Sequence, residues 1–172
     1  KSNENWKITL VDTGENTSTG GRLKRVKEYI NEETFCFTYG DGLSDINISD
    51  LISFHKNHKK KSTVTAVQMP GRFGTLNISS NNQVTNFIEK PLGALNNVLI
   101  NGGYFVLQKS VIDYIDNDKT VWEEGPLEKL SEEGQLIAYR HSGFWKPMDT
   151  LREKNQLERL WKSKKAPWKV WS

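Results

Sequence analysis

The chain of 172 residues is 35% hydrophobic and 26% charged, enough for one domain with a sizeable core. Its net charge of +3 is too mild, and its basic residues too little interleaved with aromatics, for a nucleic-acid-binding stripe. No run approaches the ~20 apolar residues of a membrane span, and a single cysteine leaves no disulfide framework within the chain, which fits a reducing compartment such as the cytoplasm.

In chain order, Trp6 to Val11 alternates apolar and polar residues and predicts a strand. Thr19-Gly20-Gly21 leads into a helix carrying Leu23, Val26, Tyr29 and Ile30 at helical spacing, with Thr19 as its cap. The two glycines are either a flexible lead-in or a place where backbone N–H groups approach a ligand. Phe35 to Tyr39 is a short apolar run bounded by glycine, the pattern of a strand buried on both faces, with Cys36 as a core thiol. It ends in Gly40-Asp41-Gly42. In open α/β sheets the ligand crevice lies beyond the carboxyl ends of such strands, so Asp41 is placed to meet a substrate. A lone Gly-Asp-Gly is also a common turn.

Asn47-Ile48-Ser49-Asp50 offers caps for a helix to about His58, where Lys59-Lys60-Lys61 complements the helix C-terminus. Ser62 to Met69, Thr75 to Ile78 and Val84 to Ile88 predict strands, the last stopped at Glu89-Lys90-Pro91. Asn101-Gly102-Gly103 opens a buried strand from Tyr104 onward. Ser110 to Ile115 and Glu123 to Glu133 predict helices, Gln135 to Tyr139 a strand, and Phe144 to Thr150 a loop. Asp149 or Thr150 caps a final helix through Trp161, and the tryptophans of the tail are expected to dock on a surface. The three histidines show no zinc-site spacing. The alternation predicts an α/β fold with a largely parallel sheet.

Several segments thus end in polar residues backed by glycine or proline. Together they offer two carboxylates for a divalent metal, a lysine and an arginine for phosphate, and amide and carboxylate groups for sugar hydroxyls. Magnesium commonly takes one or two carboxylates plus substrate phosphates. The inventory suits nucleotide and phosphate chemistry better than acyl transfer, which wants an activated Ser or Cys beside a base.

From Thr9-Leu10-Val11-Asp12-Thr13-Gly14 to Ala166-Pro167-Trp168-Lys169 the chain resembles the sugar-1-phosphate nucleotidyltransferases, in their glucose-1-phosphate cytidylyltransferase branch. Thr19 to Arg25 and Phe144 to Thr150 are the stretches specific to that branch. Gly40-Asp41, Glu89-Lys90-Pro91 and Asn101-Gly102-Gly103 are shared more widely. The resemblance implies a Rossmann-like, mostly parallel sheet flanked by helices in a single domain over 1–172, with a β-rich sugar-binding segment at about 70–105 and a helical C-terminal segment at about 149–172.

By the same resemblance Asp41 and Asp149 would ligate Mg2+, and Lys90 would contact the sugar phosphate and share in catalysis. Glu89, Asn101 and Gly102 would hold the sugar phosphate, and Gly20, Gly21 and Arg22 would lie along the nucleotide. CTP and glucose 1-phosphate would be the substrates, giving CDP-glucose and pyrophosphate. The family's glycine-rich Gly-Gly-x-Gly-Thr-Arg loop has no counterpart here. The expectation is therefore a chain equivalent to the C-terminal two-thirds of such an enzyme, inactive alone, with an exposed sheet edge that favours a homo-oligomer. A non-catalytic sugar-phosphate-binding or assembly module, or a transferase using UTP or dTTP, are the alternatives.

Overall fold

The computed structural model describes residues 6–68, 75–88 and 98–171, with backbone alone at 75–77 and 87–88. Its helices are α1 (Thr19–Arg25), α2 (Ile48–His58), α3 (Pro126–Glu132) and α4 (Leu151–Lys162). Its strands are β1 (Thr34–Thr38), β2 (Gly42–Ser44), β3 (Ser62–Gln68), β4 (Thr75–Ile78), β5 (Val84–Ile88), β6 (Leu99–Gln108), β7 (Leu136–His141) and β8 (Trp145–Pro147). Four strands form a sheet of order β1-β6-β3-β7, while β2 pairs with β8 and β4 with β5 as antiparallel ribbons. The fold is α/β, with a parallel-containing sheet flanked by helices, as expected.

The chain divides into two compact units: residues 1–35, 60–62 and 107–137, and residues 36–59, 63–106 and 138–172. In the first, α1 starts flat against the 118–120 segment, with Ser18 N–H donating to Asp118 O (2.9 Å) and Gly21 N–H to Thr120 O (3.2 Å). A Cβ on Gly21 would stand 2.5 Å from Asp118 O, and one on Gly20 2.7 Å from Thr120 O. Close backbone packing thus requires both glycines. Thr19 is the first residue of the helix, not its cap, a position that Ser18 occupies without a side-chain capping bond; the Thr19 hydroxyl accepts from Trp122 N–H and donates to Glu123, each at 2.9 Å. Trp122, Val111, Ile112 and Leu130 are wholly buried.

The alternating Trp6–Val11 segment is not a strand. It runs as coil with Trp6, Ile8 and Leu10 exposed, because no strand among the described residues pairs with it to satisfy a ladder.

In the second unit the buried strand is β6, with Phe105 and Val106 almost without exposure. β1 stands at the sheet edge, and only one of its faces is covered: Phe37 and Tyr39 pack on Phe105, with ring centroids 5.6 and 5.7 Å away, while Cys36 and Thr38 are exposed. The expectation of a strand buried on both faces, with a core thiol at Cys36, fails here. A run of five apolar or small residues cannot reveal that its strand is the outermost one among the described residues.

A smaller cluster joins Ile46 and Leu51 to Val106. Asn47 caps α2, its side chain accepting from Ser49 and Asp50 N–H. Within α2 the buried His55 shares the Thr63 hydroxyl with His58 (Nδ1 at 2.8 Å, Nε2 at 2.7 Å), and burial followed by the His58 charge lowers the His55 pKa to about 4. In the C-terminal segment Trp168 docks on Phe144, centroids 5.5 Å apart, whereas Trp171 is exposed.

Candidate functional site

The second unit contains a cavity of about 180 Å³. At the ~30 Å³ a water occupies in the liquid, that is room for about six waters. Its walls come from the end of β1 (Thr38, Tyr39), from Asp41 and Gly42, from the Asn101–Tyr104 stretch of β6, and from Trp145, Pro147 and Asp149.

Asp41 and Asp149, 108 positions apart in the sequence, line this one cavity. The ribbon of β2 and β8 brings them there. Ser44, Leu43 and Gly42 lie opposite Trp145, Lys146 and Pro147, and the pairing continues as Met148 N–H donates to Asp41 O at 2.8 Å. Asp149 is the next residue, one Cα step of about 3.8 Å further on. Pro147 and the capping of α4 end the ribbon at that point. The Thr150 hydroxyl accepts from Glu153 N–H, and Glu153 in turn accepts from Thr150 N–H.

Asn101 and Gly102 line the same cavity, inside β6 rather than in a loop leading to it. The Asn101 side chain is already employed: its amide donates to Tyr39 Oη (3.0 Å) and its carbonyl accepts from Gly103 N–H (2.8 Å). One N–H and one lone pair remain for a ligand. Gly103 has φ +76°, and a Cβ there would meet the Tyr39 ring at 2.7 Å. Gly103 therefore serves the seating of Tyr39, whereas a Cβ on Gly102 would meet Val67 Cγ1 of β3 at 2.9 Å. Gly20, Gly21 and Arg22 belong to the first unit, where the Arg22 guanidinium braces the preceding loop through Thr13 Oγ1 (2.7 Å) and Glu15 O (3.1 Å). Glu89 and Lys90 lie outside the described residues.

Three aromatic walls were not singled out as site residues by motif reading: Tyr39, Tyr104 and Trp145. Each is pinned by its polar tip, Tyr104 donating to Gly42 O and Trp145 Nε1–H to Gly102 O, both at 2.8 Å. Burial pushes the Tyr104 phenol up, which keeps its proton for that bond. The available signal was adjacency, since each lies within four residues of a motif glycine or aspartate.

A Ser-His-Asp grouping also occurs in this unit and is not a nucleophilic triad. Ser44 Oγ and Asp45 Oδ1 both approach the same nitrogen, His141 Nε2, at 3.1 and 2.9 Å, and the Ser44 hydroxyl donates to Phe144 O at 2.8 Å. A general base would need one ring nitrogen for the hydroxyl and the other for the acid. The group instead clasps β2 to the turn before β8.

Two carboxylates with hard oxygen donors fit Mg2+, which commonly completes its shell with water and substrate phosphate. Among the described residues no group of three or more His, Cys, Asp or Glu side chains could hold a metal without such help.

The profile of the Nucleotidyl transferase family matches residues 2–146. A glucose-1-phosphate cytidylyltransferase of Salmonella typhi is 57% identical over 169 residues, covering 98% of this chain and 65% of that protein. A protein of Bacillus subtilis (strain 168), named probable glucose-1-phosphate cytidylyltransferase, is 42% identical with the same coverage. The chain therefore spans 65% of the length of these relatives. The crystal structure of HddC from Yersinia pseudotuberculosis superposes with a TM-score of 0.59 at 22% identity, over 83% of this chain and 61% of that one, a likeness of fold alone. The profile covers most of the sequence, and the chain belongs to the nucleotidyl transferase family.

Proposed function

We propose that the protein acts in the transfer of a cytidylyl group from CTP to glucose 1-phosphate, with release of pyrophosphate, that the 172-residue chain alone is inactive in it, and that Asp41 and Asp149 hold the divalent cation, Mg2+, that this reaction uses. The observation that carries the reading is that these two distant carboxylates line one cavity in a chain of this family. The choice of cytidine and glucose follows the names of the relatives. When bound, the cation would neutralise phosphate charge and help to align the reacting groups.

The rest is the work of the chain. An oxygen of the sugar phosphate forms the new bond to the α-phosphorus as the bond to pyrophosphate breaks, and pyrophosphate leaves with the electron pair. No protein nucleophile is required, which agrees with the clasp role of Ser44 and His141. Catalysis then consists of positioning and charge stabilisation. Lys90 would meet the sugar phosphate, and Glu89 with the spare capacity of Asn101 and the backbone at Gly102 would hold the sugar. Gly20, Gly21 and Arg22 would serve the nucleotide, through a helix start and a loop whose shapes are already set by packing. The single cysteine agrees with work in a reducing compartment such as the cytoplasm.

The test is cation binding by the purified chain, followed with Tb3+, whose luminescence nearby tryptophan and tyrosine sensitise. Trp145, Tyr39 and Tyr104 line the same cavity as the carboxylates. Sensitised emission that Mg2+ competes away, and that Asp41→Asn and Asp149→Asn each abolish, is the expected result. Emission unaffected by both substitutions refutes the assignment.

A further inference from the structure

Three strand segments meet at the cavity, and hydrogen bonds join each pair of them there. Met148 N–H donates to Asp41 O, Tyr104 Oη to Gly42 O, and Trp145 Nε1 to Gly102 O, all at 2.8 Å. The three bonds close a circuit through residues 41–42, 102–104 and 145–148. Two of its links are aromatic side chains, each using the only polar atom it has.

β2 and β8 are three residues long apiece, and an isolated two-stranded ribbon is marginal in water. That ribbon alone gives Asp41 and Asp149 little rigidity. β6 is the rigid member, since Phe105 and Val106 beside Tyr104 are fully buried. Tyr104 ties the peptide that follows Asp41 to this strand, and Trp145 ties in the strand that leads to Asp149. Ligand groups must be held to within about 0.5 Å of a working geometry, so these ties matter to a cation more than to the fold.

We infer that Tyr104 and Trp145 are positioning residues, which lock the ribbon carrying Asp41 and Asp149 onto β6 so that both carboxylates can share one divalent cation. The inference rests on the cation role proposed above for the two aspartates.

The experiment titrates Mn2+ into the full 172-residue chain and reads free Mn2+ by electron paramagnetic resonance. Tyr104→Phe deletes one oxygen and keeps the ring; Trp145→Phe keeps an aromatic wall and loses the N–H, so each link is tested separately. Groups bonded directly to metal-binding side chains are typically worth 10- to 100-fold in affinity; Tyr104 and Trp145 act through the neighbouring backbone, so a loss at the low end, about threefold to tenfold, is expected in each variant. Far-UV circular dichroism and the thermal midpoint of the metal-free chain should stay close to the parent's. Unchanged Mn2+ affinity in the variants overturns the inference. So does a weakened affinity accompanied by a matching fall in the midpoint, which would mark general loosening. Failure of the parent chain to bind Mn2+, or undiminished binding by Asp41→Asn, instead removes the functional reading itself. Binding lost in Asp41→Asn but kept in Tyr104→Phe sinks only the positioning role.

Discussion

His55 shows how one side chain couples the fold to pH. It is buried in α2, bonded to the Thr63 hydroxyl, and holds its proton only below a pKa of about 4, against 6.5 for an ordinary histidine. Above pH 6.5 the ring is neutral whether the chain is folded or not, and the fold has its full stability from this group. As pH falls below 6.5 the unfolded chain binds a proton that the folded one refuses, so stability declines until about pH 4 and then levels off. With 1.36 kcal/mol per pKa unit the loss is up to about 3 kcal/mol. Urea unfolding between pH 7 and pH 4 should show that decline, and a His55→Gln chain should show it much reduced. Sequence periodicity places His55 on a helix. Its environment depends on Thr63, a residue of β3, so its burial was not legible. The glycines tell a similar story: Gly20 and Gly21 were recognisable as special, but the reason lies in the backbone at Asp118 and Thr120, about a hundred positions away.

Among the elements, those with strong local signals match the reading of the sequence: α2 behind Asn47, α4 behind Thr150, and the β4–β5 hairpin around Asn82, whose φ is +65°. The Thr150 cap also stands next to Asp149, so it sets both the helix start and the end of the ribbon. Thr150→Ala should lower stability by about 1 kcal/mol, the usual worth of an N-cap hydroxyl. Denaturant titration measures that loss. Elements without a local signal were missed. β2 and β8 are three residues each, too short for an alternation to register, and they exist because they pair with one another across a hundred residues. Trp6–Val11 is the converse case, a clear alternating pattern left as coil, since a strand is defined by its partner's hydrogen bonds.

For the molecule as a whole, the exposed apolar groups are the feature with consequences. Trp6, Ile8 and Leu10 are 75%, 72% and 91% exposed on a segment whose alternation suits strand pairing. Such a segment is a template for association with another chain. Light scattering should therefore find the 172-residue chain self-associating with rising concentration, and Ile8→Lys with Leu10→Lys should shift it toward monomer. A monodisperse monomer across the range would count against the homo-oligomer expected from the sequence.

Local chemistry in the sequence determined the α/β class and many of the helix and strand runs, while the resemblance, which family membership bears out, named Asp41 and Asp149 as candidates for one cation. Only the tertiary structure decided that those two carboxylates line a common cavity, that Tyr39, Tyr104 and Trp145 wall it, and that Asn101 is half occupied in seating Tyr39. The division follows the range of the forces. Capping, alternation and turn formation act over a few neighbouring residues and leave their mark in any short window. A hydrogen bond such as Trp145 Nε1–H to Gly102 O joins residues 43 positions apart, and no short window contains both ends.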